Sequence, residues 1–172
     1  YEKGDIRGYD KKNKKIEAYE KVSAKNGTSI AVEELFFSTP ARKKYVKSEK
    51  RENQRNQQEI LKIALAHPGV RIEYVRDGRE MLSLPSAAGV LDRIRDIYGE
   101  TFAQRLIPVD SGTDGIRLTG YAGNPDNFRS SREVQFQFVN GRAVEIKNLS
   151  FLVKKAYGEL LGPGNYPVYF LF

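Results

Sequence analysis

Between Ala41 and Arg55 seven cationic side chains, Arg42, Lys43, Lys44, Lys47, Lys50, Arg51 and Arg55, stand against two carboxylates, Glu49 and Glu52. Such a local excess suits a polyanion, because each phosphate neutralised by lysine or arginine releases condensed counterions. Two readings fit Arg42, Lys43, Lys44 and Lys47 on residue type alone: a strip that contacts phosphates, and a solvated basic turn. The neighbouring Phe37 and Tyr45 read as packing residues. The whole chain carries a formal net charge of +7, which points to an anionic partner, nucleic acid above all. A second pair of cations, Lys147 and Lys154, lies seven residues apart on a segment with helical periodicity, so both fall on one face, away from its apolar stripe. The bland reading of that pair is the solvent side of an amphipathic helix. Glu145 interrupts any continuous positive surface there.

Other chemistries are poorly supplied. The chain has no cysteine, which excludes disulfides, thiolate metal sites and a cysteine nucleophile. A histidine metal site or a Ser-His-Asp triad would rest on the single His67, beside Pro68 at the end of a helical stretch. No apolar run approaches the roughly 20 residues that cross a bilayer, and Tyr1-Glu2-Lys3-Gly4-Asp5 is no signal peptide. The chain therefore reads as soluble and intracellular, with no membrane partner. With 172 residues, 40% of them hydrophobic, it can bury one domain core or a domain plus part of a neighbour. It lacks an initial methionine and ends on the apolar Tyr166-Pro167-Val168-Tyr169-Phe170-Leu171-Phe172, so we expect a piece cut from a longer protein.

The elements that must position these cations follow from pattern. A strand is expected over Lys15–Val22 and another from Thr28 towards Phe37, broken at Ser38-Thr39-Pro40. A helix is established by about Glu52 and carries Ile60, Leu61, Ala64 and Leu65 at helical spacing before Pro68-Gly69 stops it. Val70, Ile72 and Tyr74 alternate with polar residues, Asp77-Gly78 turns the chain, and Arg79–Leu84 returns as a hairpin. Val90, Leu91, Ile94, Ile97 and Tyr98 fall on one helical face closed by Gly99. A second hairpin runs from Ile107 through the loop Ser111–Gly115 to Tyr121. Residues 124–132 form a polar, basic loop without hydrophobic periodicity, expected to be mobile. Val134, Phe136 and Phe138 make a strand that turns at Asn140-Gly141, a pair suited to a type I′ turn. Leu149, Leu152, Val153, Ala156, Tyr157 and Leu160 then form an apolar helical stripe ended by Gly162-Pro163-Gly164. Strand, helix and apolar strand in that order make a βαβ unit, and the whole reads as α+β.

Three segments carry a resemblance. Gly27-Thr28 leads towards a strand; Leu35-Phe36-Phe37-Ser38-Thr39-Pro40-Ala41-Arg42-Lys43-Lys44-Tyr45 follows; and Phe138-Val139-Asn140-Gly141-Arg142 ends a strand with Arg142 standing 100 residues after Arg42. In this order and spacing the chain from about Gly27 to Phe172 resembles the amino-terminal region of the MutL family of DNA mismatch-repair proteins. The resemblance implies a GHKL-type ATPase subdomain followed by a transducer domain of the ribosomal protein S5 domain 2-like fold. That fold is a mixed sheet with helices on one face and includes a left-handed βαβ crossover, against the strong right-handed rule. Residues 1–60 would hold the last strands of the ATPase subdomain and a connecting helix, and 61–172 a transducer truncated at its C-terminal end.

The resemblance also assigns roles. Gly27 and Thr28 would line the nucleotide pocket, and Lys147 stands where bacterial members carry a basic DNA-contacting residue. The family's metal-binding Asn, general-base Glu, Asp-x-Gly-x-Gly segment and glycine-rich lid would precede residue 1, and its Val-His-Pro-x-Lys lysine would follow Phe172. ATP and Mg²⁺ are therefore cofactors expected of the parent protein, with none bound by this piece, which should lack ATPase activity. The partners implied are DNA, a mismatch-recognition protein of the MutS type and a second copy of the parent. Its location would be the bacterial cytoplasm with the nucleoid, or the nucleus in a eukaryote. Two alternatives remain at this level: a stand-alone S5-like nucleic-acid-binding module, and the transducer of a type II topoisomerase.

Overall fold

The computed structural model describes residues 5–6, 9–10, 15–16, 19–20, 27–32, 36–37, 39–46 and 48–172. Two compact units divide the chain, residues 1–46 and 47–172. In the first, β1 (Asp5–Ile6) pairs antiparallel with β4 (Tyr19–Glu20), and β2 (Tyr9–Asp10) with β3 (Lys15–Ile16). Two short strands thus stand in the stretch read as one strand over Lys15–Val22, whose residues 17–18 and 21–22 lie outside the described ones. Residues 28–32, expected to begin a strand, have no regular structure and are exposed, and 33–35 lie outside the described residues. The break expected at Ser38-Thr39-Pro40 has no strand before it among the described residues, and Ser38 lies outside them. Pro40 opens a short helix, α1 (Pro40–Lys43), where its fixed φ suits the first helical position.

The second unit begins with α2 (Glu49–Ala66), which starts three residues earlier than its apolar pattern indicates because Ser48 and the acids Glu49 and Glu52 suit a helix N-terminus. Its buried Leu61 and Leu65 join the core. The hairpin β5 (Ile72–Arg76) and β6 (Arg79–Leu84) turns at Asp77-Gly78 with φ of 51° and 72°. Both turn residues are left-handed, as a type I′ turn requires, and glycine takes the second place at no steric cost. Then come α3 (Val90–Tyr98) and α4 (Glu100–Ala103), joined through Gly99.

The main sheet has five strands in the order β11 (Arg142–Ala143), β10 (Gln135–Val139), β13 (Tyr169–Leu171), β8 (Ile116–Gly123), β7 (Leu106–Thr113). β7 (Leu106–Thr113) and β8 (Ile116–Gly123) pair over their full length, so the connection is only Asp114-Gly115 and not the longer Ser111–Gly115 loop expected. β10 (Gln135–Val139) turns at Asn140-Gly141 into β11 (Arg142–Ala143), again with two positive φ values, 50° and 76°. After α5 (Leu149–Tyr157), β12 (Tyr166–Pro167) leads into β13 (Tyr169–Leu171), which lies parallel to β10 and antiparallel to β8. The predicted βαβ unit is therefore present in a mixed sheet.

The core sits where α2, α3 and α4 meet β10 and β13. Leu61, Leu65, Ile94, Phe102, Val134, Phe136, Phe138, Val168 and Phe170 form its buried cluster. The rings of Phe136 and Phe170, cross-strand partners, stack at 5.5 Å, and Tyr98 stacks on Phe102 at 4.7 Å. Such pairs add to the free energy of area burial.

Two expectations change. Residues 124–132 contain β9 (Phe128–Arg129), which pairs with β12, and the buried Asn127 amide donates to the Phe102 carbonyl at 3.2 Å. The Asn127 amide and the Arg129 guanidinium, 4.9 Å from the Phe102 ring centroid, anchor this loop in place of alternating apolar residues, so periodicity does not reveal it. The apolar stripe of α5 is only half used: Leu149, Val153 and Tyr157, one i, i+4 row, are partly buried, whereas Leu152, Ala156 and Leu160 are exposed. No helix among the described residues is long and apolar enough to cross a membrane.

Candidate nucleic-acid interface

The strand β10 builds the scaffold for Lys147. Gln137 accepts at its backbone carbonyl from the Val144 amide at 2.9 Å, and its Oε1 accepts from the Ile146 amide at 2.7 Å. Its Nε2 donates to the Tyr169 hydroxyl at 3.1 Å, so one side chain ties the segment before α5 to β13. Asn148 then adopts a left-handed conformation, φ 66°, as N-cap of α5. Lys147 thus precedes the helix and is exposed on a segment whose backbone is held from below. Lys154, within α5, is half-buried and its Nζ lies 4.8 Å from the centroid of the Tyr166 ring. It therefore packs against β12 as well as facing solvent, which the helical spacing alone does not tell.

Most cations elsewhere in this unit are neutralised. Arg55 pairs with Glu52, Lys62 with Glu59, Arg71 with Glu73, Arg76 with Asp77, Arg95 with Asp92 and Glu100, and Arg117 with Asp110. The Asp110 carboxyl is held below its ordinary range chiefly by the Arg117 hydrogen bond, and the Arg117 guanidinium is correspondingly raised. Between Phe128 and Tyr157 the pattern reverses. Arg129, Arg132, Arg142, Lys147, Lys154 and Lys155 stand against Glu133 and Glu145, and among the described residues none of these eight groups joins an ion pair. Cations left without carboxylate partners keep their field for an outside anion.

A groove of about 620 Å³ runs between α2 and the start of β10. Arg51, Arg55 and the Lys62–Glu59 ion pair line its helical wall, with Arg132, Glu133 and Gln135 opposite, so cations exceed carboxylates there without excluding them. Arg51 and Arg55 belong to the basic window, which does not by itself place them in a site, and Arg132 lies far outside that window. The signal available was the pair of arginines in Phe128-Arg129-Ser130-Ser131-Arg132, a basic run without a compensating acid before Glu133.

In the first unit Arg42 and Lys44 are exposed. The side chain of Lys43 and all of Lys47 lie outside the described residues. Gly27 and Thr28 are exposed, Gly27 has φ 156°, and nothing approaches within 4 Å of where its Cβ would stand. One hydroxyl and an open backbone leave room for a bound group but do not themselves cradle a nucleotide, and no group of three or more His, Cys, Asp or Glu among the described residues could hold a metal ion.

Comparison with known proteins bears on these observations. The family model for DNA mismatch repair protein, C-terminal domain, matches residues 94–172. The DNA mismatch repair protein MutL of Leptospira biflexa serovar Patoc is 38% identical over 158 residues, which cover 92% of this chain and 26% of that protein. MutL of Halothermothrix orenii is 41% identical over 160 residues, 93% of this chain and 25% of that protein. The chain thus spans about a quarter of the length of these curated relatives. Among solved structures, the Aquifex aeolicus MutL ATPase domain complexed with ADP superposes with a TM-score of 0.56 at 22% identity, over 80% of this chain and 48% of that one. The N-terminal domain of a DNA repair protein gives a TM-score of 0.60, also at 22% identity, over 79% and 46%. These two show the shared fold, and the α+β transducer architecture implied by the resemblance is the one observed. Along the stretch it shares with its relatives, this chain belongs to the MutL family of DNA mismatch-repair proteins.

Proposed function

We propose that this chain is the DNA-contacting transducer part of a MutL-like mismatch-repair ATPase. Residues 1–60 are the end of the ATPase subdomain with its connecting helix, and 61–172 are the transducer. In the whole protein, ATP with Mg²⁺ orders loops and brings two copies together, so that basic surfaces close over DNA and repair partners, a MutS-like mismatch sensor among them, are recruited. Gly27 and Thr28 approach the nucleotide; Arg42, Lys43, Lys44, Lys47, Lys147 and Lys154 contact the phosphate backbone. The observation that carries this reading is the set of six cations between Phe128 and Tyr157 that, among the described residues, join no ion pair, against two glutamates. Phosphate contacts of this kind fix position without reading sequence. Binding is accordingly weak, sequence-independent and salt-sensitive.

Fluorescence anisotropy of a labelled duplex, titrated with the chain at a series of salt concentrations, tests the proposal. Affinity falls as salt rises, and replacing Arg42, Lys43 and Lys147 together by alanine lowers the log-log salt slope by about 0.9 for each phosphate no longer neutralised. Equal affinity in low and high salt, or an unchanged slope in the triple variant, defeats it. The chain alone should turn over no ATP with Mg²⁺ above background, and measurable turnover would reassign the catalytic parts.

A further inference from the structure

Tyr166 carries two cations on one ring. The Arg132 guanidinium carbon stands 5.1 Å from the ring centroid and the Lys154 Nζ 4.8 Å. Neither makes an ion pair among the described residues. An aromatic face attracts a cation but cannot neutralise it. Centres 5.1 and 4.8 Å from one centroid are at most 9.9 Å apart, within about the Debye length of 8–10 Å at 0.1–0.15 M salt, so each adds to the positive potential at the other. The framework beneath is fixed: Gln135 Nε2 donates to the Pro167 carbonyl at 2.9 Å, Tyr166 pairs with Arg129 across β9 and β12, and Gln137 holds the Tyr169 hydroxyl. Arg132 also lines the groove along α2, where Arg51 makes no ion pair among the described residues either. The two features are therefore joined through a single side chain.

We propose that Arg132, Tyr166 and Lys154 form a seat for two successive phosphates, and that a nucleic-acid strand leaves it along the groove past Arg51. This rests on the DNA-binding reading and assigns a path to it. A strand fits better than a lone phosphate, because its charges repeat about every 3.4 Å of helix axis and successive phosphates can meet Lys154, Arg132 and Arg51 in turn. The ring of Tyr166 is engaged by its cations, so its part is to orient them and not to stack on a base; phosphate contacts of this kind are indifferent to base identity.

The phosphates of a free nucleotide share this chemistry, and the experiment separates the two. Anisotropy of a labelled single-stranded oligonucleotide is titrated across salt with the 172-residue chain, with Arg132→Gln/Lys154→Gln, and with the charge-retaining Arg132→Lys/Lys154→Arg. The expected result is a salt slope lower by about 1.4 in the glutamine pair, two phosphates at about 0.7 each on a single strand, and retained binding in the charge-swapped pair. Urea unfolding of each variant guards against misfolding: an unfolded glutamine pair is replaced by Arg132→Gln alone, for which a drop of about 0.7 is expected. ATP should displace the strand no better than potassium chloride at equal ionic strength. An unchanged slope in folded variants while the parent chain binds overturns the seat and leaves the broader reading standing. Displacement by ATP beyond the ionic-strength effect overturns the strand in favour of a nucleotide. No binding by the parent chain overturns both.

Discussion

The fully buried guanidinium of Arg93 donates from Nη2 to the carbonyl of Val70 at 2.7 Å, and from the same nitrogen to the carbonyl of Pro68 at 2.6 Å. One side chain of α3 thereby closes the stretch between α2 and the first hairpin. Asp96, one turn along, lies 3.6 Å from Nη1 and balances the charge from a partly exposed position. Arg93→Met removes two charge-assisted bonds and leaves the Val70 carbonyl without its donor, while the Pro68 carbonyl keeps the Ala87 amide at 2.9 Å. Hydrogen bonds to charged groups contribute about 1.5–3 kcal/mol each, and relief of the burial cost of the guanidinium offsets part of this. We expect the variant to be less stable by about 3 kcal/mol, read as a lower urea midpoint at unchanged slope.

Gly120 sits between β13 and β7, opposite Leu171 on one side and Val109 on the other. Its φ is 135°, and a Cβ there would stand 2.0 Å from the Phe170 carbonyl oxygen. That neighbour is backbone in the middle of the sheet and cannot yield without breaking the β8–β13 pairing. Gly120→Ala should cost about 3 kcal/mol or more, at the upper end of overpacking. Gly69, with open space around its Cβ position, provides the contrast. A thermal scan in which Gly120→Ala melts like the parent chain would refute the close approach.

Legibility from sequence divides along physical lines. The turns Asp77-Gly78 and Asn140-Gly141 were readable because the backbone requirement is local: two consecutive positive φ values select these residue pairs. The crossover from β10 through α5 to β13 was readable for a similar reason, since strand and helix periods differ. The anchoring of Asn127 on Phe102 was not readable, because a polar side chain satisfied by a carbonyl 25 positions away leaves no periodic trace. Gly120 looked like an ordinary strand position, and only its cross-strand neighbour reveals why a side chain is excluded. For the candidate site, Lys147 and Lys154 could be placed beside one helix, but the ring beneath Lys154 comes from a strand twelve residues on. The groove needs Arg51 and Arg132, which only the packing of α2 on β10 brings together.

Tyr98, Tyr157 and Tyr169 are all raised above the ordinary phenol value, in each case first by burial. Tyr157 also donates its proton to the Gly123 carbonyl, a bond that ionisation would remove. A group whose folded pKa exceeds its unfolded value contributes stability that is intact below the unfolded pKa and is lost as pH rises through the folded one. Tyrosine in an unfolded chain titrates near about 10. Stability should therefore hold through neutral pH and decline above about pH 10, as the unfolded state gains charge that the folded state resists. Tyrosinate absorbance and circular dichroism followed together against pH should show a late-titrating class that appears with loss of structure. Reversible titration of every tyrosine before any unfolding would contradict the burial of these three.

Lys147 separates binding from folding. It is exposed, makes no ion pair among the described residues, and precedes α5 outside the helical hydrogen-bond ladder. The conformation that displays it depends on Gln137 and Asn148, whose contacts do not involve the lysine side chain. Lys147→Ala should accordingly leave stability within about 0.5 kcal/mol of the parent, as is usual for surface changes away from special features. Its effect should fall on duplex DNA instead: one phosphate fewer is neutralised, and the salt slope is smaller by about 0.9. Gln137→Ala should change both properties: a lower urea midpoint, because the Ile146 amide loses its acceptor and the Tyr169 hydroxyl one of its partners, together with weaker binding because Lys147 is no longer held. If Lys147→Ala destabilises the fold as much as Gln137→Ala does, the lysine is a packing residue and the assignment of this surface to phosphate binding fails.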